Sequence, residues 1–304
     1  MNNLTHITVM LEEAVRALQV RPHQWYVDAT VGSGGHTQRI LESGGKVVGF
    51  DFDQETIDRA VNRFQIEMLH GDVILIRENF DALARVIKDL ATAEKIDTAI
   101  GGILFDFGTS TQQLMAVNRG LSFEHEEAAL DMRLDDRLGV RAADLLKLLS
   151  VKQLTQVFSD LGGEKYAHRI AQAIITLRKK DPSQLETVGS LLRVVEQSKP
   201  RKTSHLHPAT KVFQALRIAV NDELDNISRA LPQALETVAP GGRIVTIAFH
   251  EGEDRLVKQA FTAWEKAGLG KKVTKKPMRP TEQEIQRNPR NRSAKLRVFE
   301  RKQS

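Results

Sequence analysis

Short apolar runs alternate with helical repeats along the first third of the chain. Trp25-Tyr26-Val27-Asp28-Ala29-Thr30-Val31 reads as a buried strand. It runs into the glycine-rich turn Gly32-Ser33-Gly34-Gly35-His36, and a helix over Thr37–Leu41 follows. Gly45–Phe50 is a second strand ending at Asp51. After it comes a helical stretch, Gln54–Phe64, with Ile57, Ala60, Val61 and Phe64 on one face. A third strand is placed at Val73–Ile76, which leaves Phe80 in the loop at its C-terminal end before a helix over Asp81–Leu90. Ile100–Phe105 is a fourth strand and ends at Asp106. Ahead of all of these, Val9, Leu11, Ala14, Val15 and Leu18 fall at helical spacing within Thr8–Leu18. Unbroken apolar runs between segments of period 3.6 predict βαβ units around a parallel sheet buried on both faces.

From about Leu114 to His207 the strand-like runs stop. Helical segments take over, with polar breaks at Ser150, Gly162-Gly163, Asp181-Pro182 and Lys199–His205. The expectation is a helical domain, 114–207, inserted into a sheet domain made of 1–113 and 208–304. Its helix around Glu164–Lys180 has Tyr166, Ile170, Ala173, Ile174 and Leu177 on one face. Lys165, His168, Arg169, Arg178, Lys179 and Lys180 occupy the other face and the end. That basic face is either simply solvated or a contact for RNA, and the loop 199–205 is also basic. Pro208 then suits the first turn of a helix through Phe213, Leu216, Arg217 and Val220, and Leu224–Leu235 continues helically. Ala239-Pro240-Gly241-Gly242 turns into a fifth strand, Arg243–Phe249, which ends at His250-Glu251 on the same edge as the earlier acids. Asp254–Ala267 is helical, and Lys271–Pro280 is basic and irregular. Lys295–Glu300 is a last strand that pairs back as an edge.

Composition narrows the classes. The 304 residues are 41% hydrophobic, enough for a real core in one large or two modest domains. There is no cysteine, which removes disulfides, thiolate metal sites and cysteine nucleophiles together and fits a reducing cytoplasm. No metal-ligating set stands out. The opening Met1–His6 lacks a basic-then-apolar signal pattern, and no run approaches a membrane span. A net charge of +5 is compatible with a polyanionic partner.

The candidate chemistry lies at the strand ends. Glycine lets backbone turn sharply and approach a ligand closely, and a helix start offers N–H groups and a positive dipole end. Asp51, at the end of the second strand, is placed to accept hydrogen bonds from ribose hydroxyls. The turn departs from the dinucleotide pattern G-x-G-x-x-G and reads Asp28-x-x-x-Gly32-x-Gly34-Gly35. An acid just ahead of the glycines repels a pyrophosphate and suits a cation. S-adenosylmethionine carries a sulfonium and an ammonium and no phosphate, so charge favours a methyltransferase over a nicotinamide oxidoreductase. Asp28, Asp51 and Asp106 together make a constellation of acids at three strand ends.

With these segments in hand, the chain resembles one family along nearly its whole length. This is the RsmH/MraW family of bacterial 16S (small-subunit) ribosomal RNA cytosine-N(4)-methyltransferases. The resemblance is carried by Val31-Gly32-Ser33-Gly34-Gly35-His36, Leu104-Phe105-Asp106-Phe107-Gly108, Arg119-Gly120-Leu121-Ser122-Phe123, Leu130-Asp131-Met132-Arg133 and the run His207–Asn221. To these add Ala239-Pro240-Gly241-Gly242, Phe249-His250 with Glu253-Asp254-Arg255, and Asn288-Pro289-Arg290. It implies an α/β fold, a class I, Rossmann-like methyltransferase sheet domain with an inserted all-helical domain. S-adenosyl-L-methionine is the implied cofactor. By motif, Gly34, Gly35 and His36 match the turn that holds the methionine part of the cofactor. Asp51 matches the ribose acid and Phe80 a residue lining the adenine. Asp106 and Gln113 match two further cofactor positions near the reacting centre. The implied partner is 16S rRNA, as naked RNA or in an assembled 30S particle, met by a cytoplasmic monomer or homodimer without a membrane.

The implied reaction is methylation of a cytidine 4-amino group. Asp106, or the carbonyls just after it, is the first candidate to accept the amine N–H. His250 and Asp131 are further candidates for contacting the base or taking its proton. Thr111-Gln112 stands where the family has Ser-Pro, Met115 where an acid is common, and Glu251-Gly252 where it has Ser-Leu. Two other readings stay open on the residues alone. One is a methyltransferase of a protein or small molecule, and the other is a non-catalytic RNA-binding assembly factor on the same fold.

Overall fold

A computed structural model describes residues 8–97, 99–200 and 207–303. The opening residues Met1–His6 and positions 201–205 of the basic loop lie outside the described residues. The chain divides into a sheet unit, Met1–Gly108 with Leu224–Ser304, and a helical unit, Thr109–Glu223.

The sheet unit begins with α1 (Leu11–Leu18), β1 (Trp25–Asp28), α2 (Gly35–Glu42), β2 (Lys46–Asp51), α3 (Gln54–Arg63), α4 (Gln65–Leu69), β3 (Val73–Arg77), α5 (Leu83–Thr92) and β4 (Ile100–Asp106). The helical unit carries α6 (Thr111–Met115), α7 (Ala142–Leu148), α8 (Val151–Gln156), α9 (Ala167–Lys180), α10 (Val188–Ser198) and α11 (Thr210–Val220). The sheet unit then resumes with α12 (Glu223–Thr237), β5 (Val238–Ala248), α13 (Glu251–Lys266), β6 (Gly270–Lys272), α14 (Glu282–Arg287) and β7 (Lys295–Arg301). Among the described residues no helix is long and apolar enough to cross a membrane.

Seven strands among the described residues form one sheet in the order β3-β2-β1-β4-β5-β7-β6. β1 to β5 are parallel, and β7 runs antiparallel between β5 and β6. This is the mixed sheet of a class I methyltransferase. The strand order reverses between β1 and β4, and the crevice at the carboxyl ends there is where such sheets take ligands. Successive side chains on a strand point to opposite faces, so each strand feeds two cores. Val27, Val48, Phe50, Ile103, Phe105 and Ile244 pack with Leu83, Ile227, Leu231 and Phe261 from α5, α12 and α13. Tyr26, Val47, Leu104, Val245 and Ile247 pack with Ala14, Val15, Leu18 and Ile40 from α1 and α2. That two-sided burial is why the strands read as unbroken apolar runs.

Four expectations change. The last strand is not the edge: Lys271 and Lys272, in the stretch read as irregular, belong to β6, which pairs outside β7 through Lys271↔Glu300 and Lys272↔Phe299. Its alternation is hidden because a three-residue edge strand carries lysines, paired here with Glu300 and Glu265. β5 begins at Val238, five residues early. Its Pro240-Gly241-Gly242 stretch forms a bulge where the pairing with β4 shifts register between Ile100 and Gly102. α11 begins at Thr210, two residues after Pro208. It also belongs to the helical unit, where Val212, Phe213, Ala215 and Leu216 share a core with Leu146, Phe158, Ile170, Ile174 and Leu191. The units therefore divide at 108/109 and 223/224, against 113/114 and 207/208 expected from the pattern.

Candidate active site

β1 sets the level of the site. Asp28 lies opposite Gly49 of β2 and Leu104 of β4, so Asp51 and Asp106 stand two residues farther along on either side, about 7 Å beyond it. The chain after Asp28 threads between them. The Ala29 N–H donates to the Leu104 carbonyl and the Val31 N–H to that of Phe50. Asp28 itself is fully buried. Its carboxylate accepts the Thr30 N–H (3.2 Å) and the Thr37 hydroxyl (2.7 Å), which ties β1 to α2. Burial pushes its pKa up, against those hydrogen bonds. The acid just ahead of the glycines is thus a brace beneath the turn.

The turn needs glycine for two distinct reasons. Gly34 caps α2 with φ of 79°, a left-handed conformation that a side chain strains, and a Cβ there would lie 2.8 Å from the Phe64 ring. At Gly35 a Cβ would lie 1.9 Å from Thr8 Oγ1. The Gly32 N–H donates to Asp51 Oδ2 (3.0 Å), and the Asp53 N–H donates to Oδ1 (3.0 Å). Asp51 is buried, and burial lifts its pKa to about 7 despite these bonds. Phe80, in a short 3-10 turn after β3, is buried edge-on against Phe105 (5.7 Å) and Phe107 (5.9 Å) at the end of β4.

Asp106 is the group with chemistry left over. Its own N–H donates to Thr30 Oγ1 (2.8 Å). About a fifth of its side chain (19%) is exposed, yet Oδ1 is buried and accepts no hydrogen bond. Burial raises its pKa to about 8; the Asp28 charge adds to this, the Gly108 N–H opposes it, and Glu253 adds a further repulsion. Oδ2 faces His36 Nδ1 at 4.0 Å. The buried His36 ring meets the Val9 carbonyl at Nε2 (3.1 Å). A carbonyl only accepts, so Nε2 carries the ring proton and Nδ1 is the atom turned to Asp106. Among the described residues no lysine or arginine pairs with Asp28, Asp51 or Asp106. A buried carboxylate oxygen left unmet costs about 1–3 kcal/mol, and a ligand N–H or positive charge would relieve it. The donor set therefore fits a cationic ligand and opposes a pyrophosphate.

At the end of β5, His250 caps α13. Its Nδ1 accepts the Gly252 N–H (3.2 Å), which leaves the proton on Nε2, 3.1 Å from Glu253 Oε1. The Nδ1 lone pair is thus committed to the cap, while Nε2 is buried and makes no hydrogen bond among the described residues. Glu251, one of the departures from the family pattern, is exposed and pairs with Lys295 (2.7 Å). Gly252, the other, supplies the N–H that His250 accepts.

The helical unit holds the remaining expected residues. Gln113 is buried in the capping box of α6: its amide oxygen accepts the Ser110 N–H (2.9 Å), and its N–H donates to Ser110 Oγ (3.1 Å). Asp131 is gripped by Arg133, with Nε at 2.7 Å and Nη2 at 2.8 Å. Burial would raise its pKa, but the Arg133 fork outweighs this and holds the carboxyl below its usual range. A carboxylate so paired is a poor proton acceptor. Lys165, in the turn before α9, and His168, Arg169, Lys179 and Lys180 on it are exposed, whereas Arg178 donates to the Leu146, Lys147 and Leu149 carbonyls at the end of α7.

Sequence reasoning assigned no role to Thr30, Thr37 or Glu253. Only Glu253 had a signal, its position three residues after the helix cap.

A model described as the MraW methylase family matches residues 3–302. The chain is 41% identical to the ribosomal RNA small subunit methyltransferase H of Paenibacillus sp. (strain JDR-2), over 97% of this chain and 98% of that protein. It is 40% identical to that of Geotalea uraniireducens (strain Rf4), over 99% of each, and 40% identical to that of Heliobacterium mobile, over 96% and 97%. A crystal structure of an rRNA methylase from Streptococcus thermophilus is a distant likeness, with a TM-score of 0.46 and 11% identity over 98% of this chain and 99% of that one. The match runs through the glycine turn, the strand-end acids and the helical unit alike, and the chain belongs to the MraW methylase family.

Proposed function

We propose that this protein methylates the exocyclic 4-amino group of a cytidine in small-subunit (16S) ribosomal RNA, with S-adenosylmethionine as donor. The observation that carries the reading is Asp106: a strand-end carboxylate with a buried, unmet oxygen beside a glycine turn and, among the described residues, no lysine or arginine paired to it. When bound, the cofactor supplies an electrophilic methyl group on a sulfonium. Gly34, Gly35 and His36 would hold its methionine part, Asp51 its ribose and Phe80 its adenine, with Gln113 as a further position.

The 4-amino group is a weak nucleophile because its lone pair is delocalised into the ring. Asp106 Oδ1 accepts an amine N–H, localises the lone pair and orients it. Alignment of this kind supplies much of the rate enhancement. A carboxyl with a pKa of about 8 is also matched to taking the amine proton near neutral pH. Arg133 holds Asp131 and the α13 cap holds His250 Nδ1, which favours Asp106 for that task. No cysteine is present to form the covalent adduct used in ring-carbon methylation of cytosine.

The base must leave any stack to reach a strand-end crevice. Exposed Lys165 and, on α9, Arg169, Lys179 and Lys180 would meet phosphates, as would Lys275 and Lys276 of the sheet unit. An assembled 30S particle offers the folded, single-stranded target that RNA readers favour. The test is transfer of labelled methyl groups to small subunits lacking the modification, beside a protein extract. Label in the RNA supports the reading. Label in protein, or none in RNA despite measurable cofactor binding, removes it.

A further inference from the structure

We propose that Glu253 is a positioning residue for this reaction: by holding the Phe249–His250 turn it seats the Phe249 ring on Gly108 and so fixes the backbone from which Asp106 projects. The inference rests on the reading of Asp106 given above.

Glu253 is 1% exposed and buried without a lysine or arginine partner among the described residues. Such a carboxylate is retained only where donors surround it. Oε2 accepts the N–H of Phe249 (2.7 Å) and of His250 (3.2 Å), and Oε1 lies 3.1 Å from His250 Nε2 as a charge contact without a hydrogen bond. The Gly252 N–H fills Nδ1. The turn is therefore pinned at two backbone groups and at Nδ1 of the ring.

Phe249 carries the constraint across the sheet. A Cβ on Gly108 would lie 2.6 Å from Phe249 Cε2, so the ring rests on the bare Gly108 backbone. The Phe107 N–H donates to the Ile247 carbonyl (3.0 Å), which joins the same two strand ends. Asp106 is two residues from Gly108. Glu253 also acts on it directly, as one of the charged or titratable groups that face it, with Asp28 from β1 and His36 from α2.

Glu253→Gln separates this role from ordinary helix capping. A neutral amide oxygen accepts the Phe249 and His250 N–H groups more weakly than a carboxylate, so the turn is held less firmly. The NH2 meets the Nε2–H of His250 donor to donor, and the charge beside Asp106 is gone. Four results are expected. The His250 ring 15N signals lose their single-tautomer pattern. The Asp106 carboxyl titrates at lower pH in the cofactor-free protein. S-adenosylhomocysteine binds within about threefold of wild type. Finally, kcat falls about tenfold or more at unchanged KM for RNA, with the rising limb of the pH profile moved to lower pH. Gly108→Ala, which displaces the Phe249 ring from the other side, should lower kcat in the same way. It decides the matter if Glu253→Gln does not fold.

A lower Tm with wild-type His250 signals, Asp106 titration and kcat would make Glu253 a cap and nothing more. Wild-type kcat in Gly108→Ala would overturn the coupling. The two NMR readings need no RNA, so they stand even if the wild-type protein methylates another substrate.

Discussion

Asp51 and Asp106 are acids held at high pKa, about 7 and about 8, because burial outweighs their hydrogen bonds. The sign of their effect on stability is the reverse of the usual carboxylate. Between the ordinary carboxyl pKa and these values the folded protein holds protons that the unfolded chain has released. Stability of the cofactor-free protein therefore falls as pH rises from about 4 toward 8, by at most about 1.4 kcal/mol per pH unit for each group. Asp106→Asn should flatten that slope, so that denaturant unfolding at pH 8 shows it more stable than wild type while pH 5 shows little difference. An unchanged slope would mean that Asp106 is ionised throughout. Ionisation also favours a cation, so affinity for S-adenosylmethionine should rise with pH more steeply than affinity for S-adenosylhomocysteine, which lacks the sulfonium. Titration calorimetry at pH 6 and pH 9 reads the difference. Asp51 and Asp106 were legible as residues because each terminates an apolar run. The pairing of His36 with the Val9 carbonyl was not, since it depends on how α1 folds back over α2.

At the scale of elements, the glycine turn and α13 each rest on a few contacts. Gly35→Ala drives a Cβ into the Thr8 hydroxyl. The turn and α2 must shift to admit it, and cofactor affinity should drop about tenfold or more while the far-UV spectrum stays native. Asp254, buried at the first turn of α13, accepts Arg297 Nε (2.7 Å) and Lys295 Nζ (3.0 Å) from β7. Removing it strands a buried guanidinium, and Asp254→Ala should cost about 3–5 kcal/mol in urea unfolding. Strand and helix identities were legible where periodicity ran for six residues or more, as in β2, β4 and α9. β6 was not, because three residues with two lysines carry no alternation to read. The early start of β5 was masked because Pro240-Gly241-Gly242 has the composition of a turn, although a bulge uses the same residues.

At the scale of the whole molecule, the chain builds two units with separate cores. Leu146, Phe158, Ile170, Ile174, Leu191 and Phe213 fill the helical one. Asn221 closes its end: its side-chain oxygen accepts the Leu134 N–H (2.8 Å), and its NH2 donates to the Met132 carbonyl (2.8 Å). The change from strand to helix pattern falls within the unit Thr109–Glu223. Its ends were misplaced because α11 is amphipathic in the same way as the helices of the sheet unit, and only packing shows which core takes its apolar face. Charge at this scale bears on the partner. Replacing Lys165, Arg169, Lys179 and Lys180 together should weaken RNA binding and flatten its dependence on salt. The central claim, that a carboxylate at the end of β4 directs methyl transfer to a cytidine amine, is tested most directly by nucleoside mass spectrometry of small-subunit RNA after incubation with S-adenosylmethionine and either wild-type protein or Asp106→Ala. The account predicts N4-methylcytidine with the wild type and its loss in the variant. A methyl group on a ring carbon, or equal N4-methylation by both proteins, would contradict it.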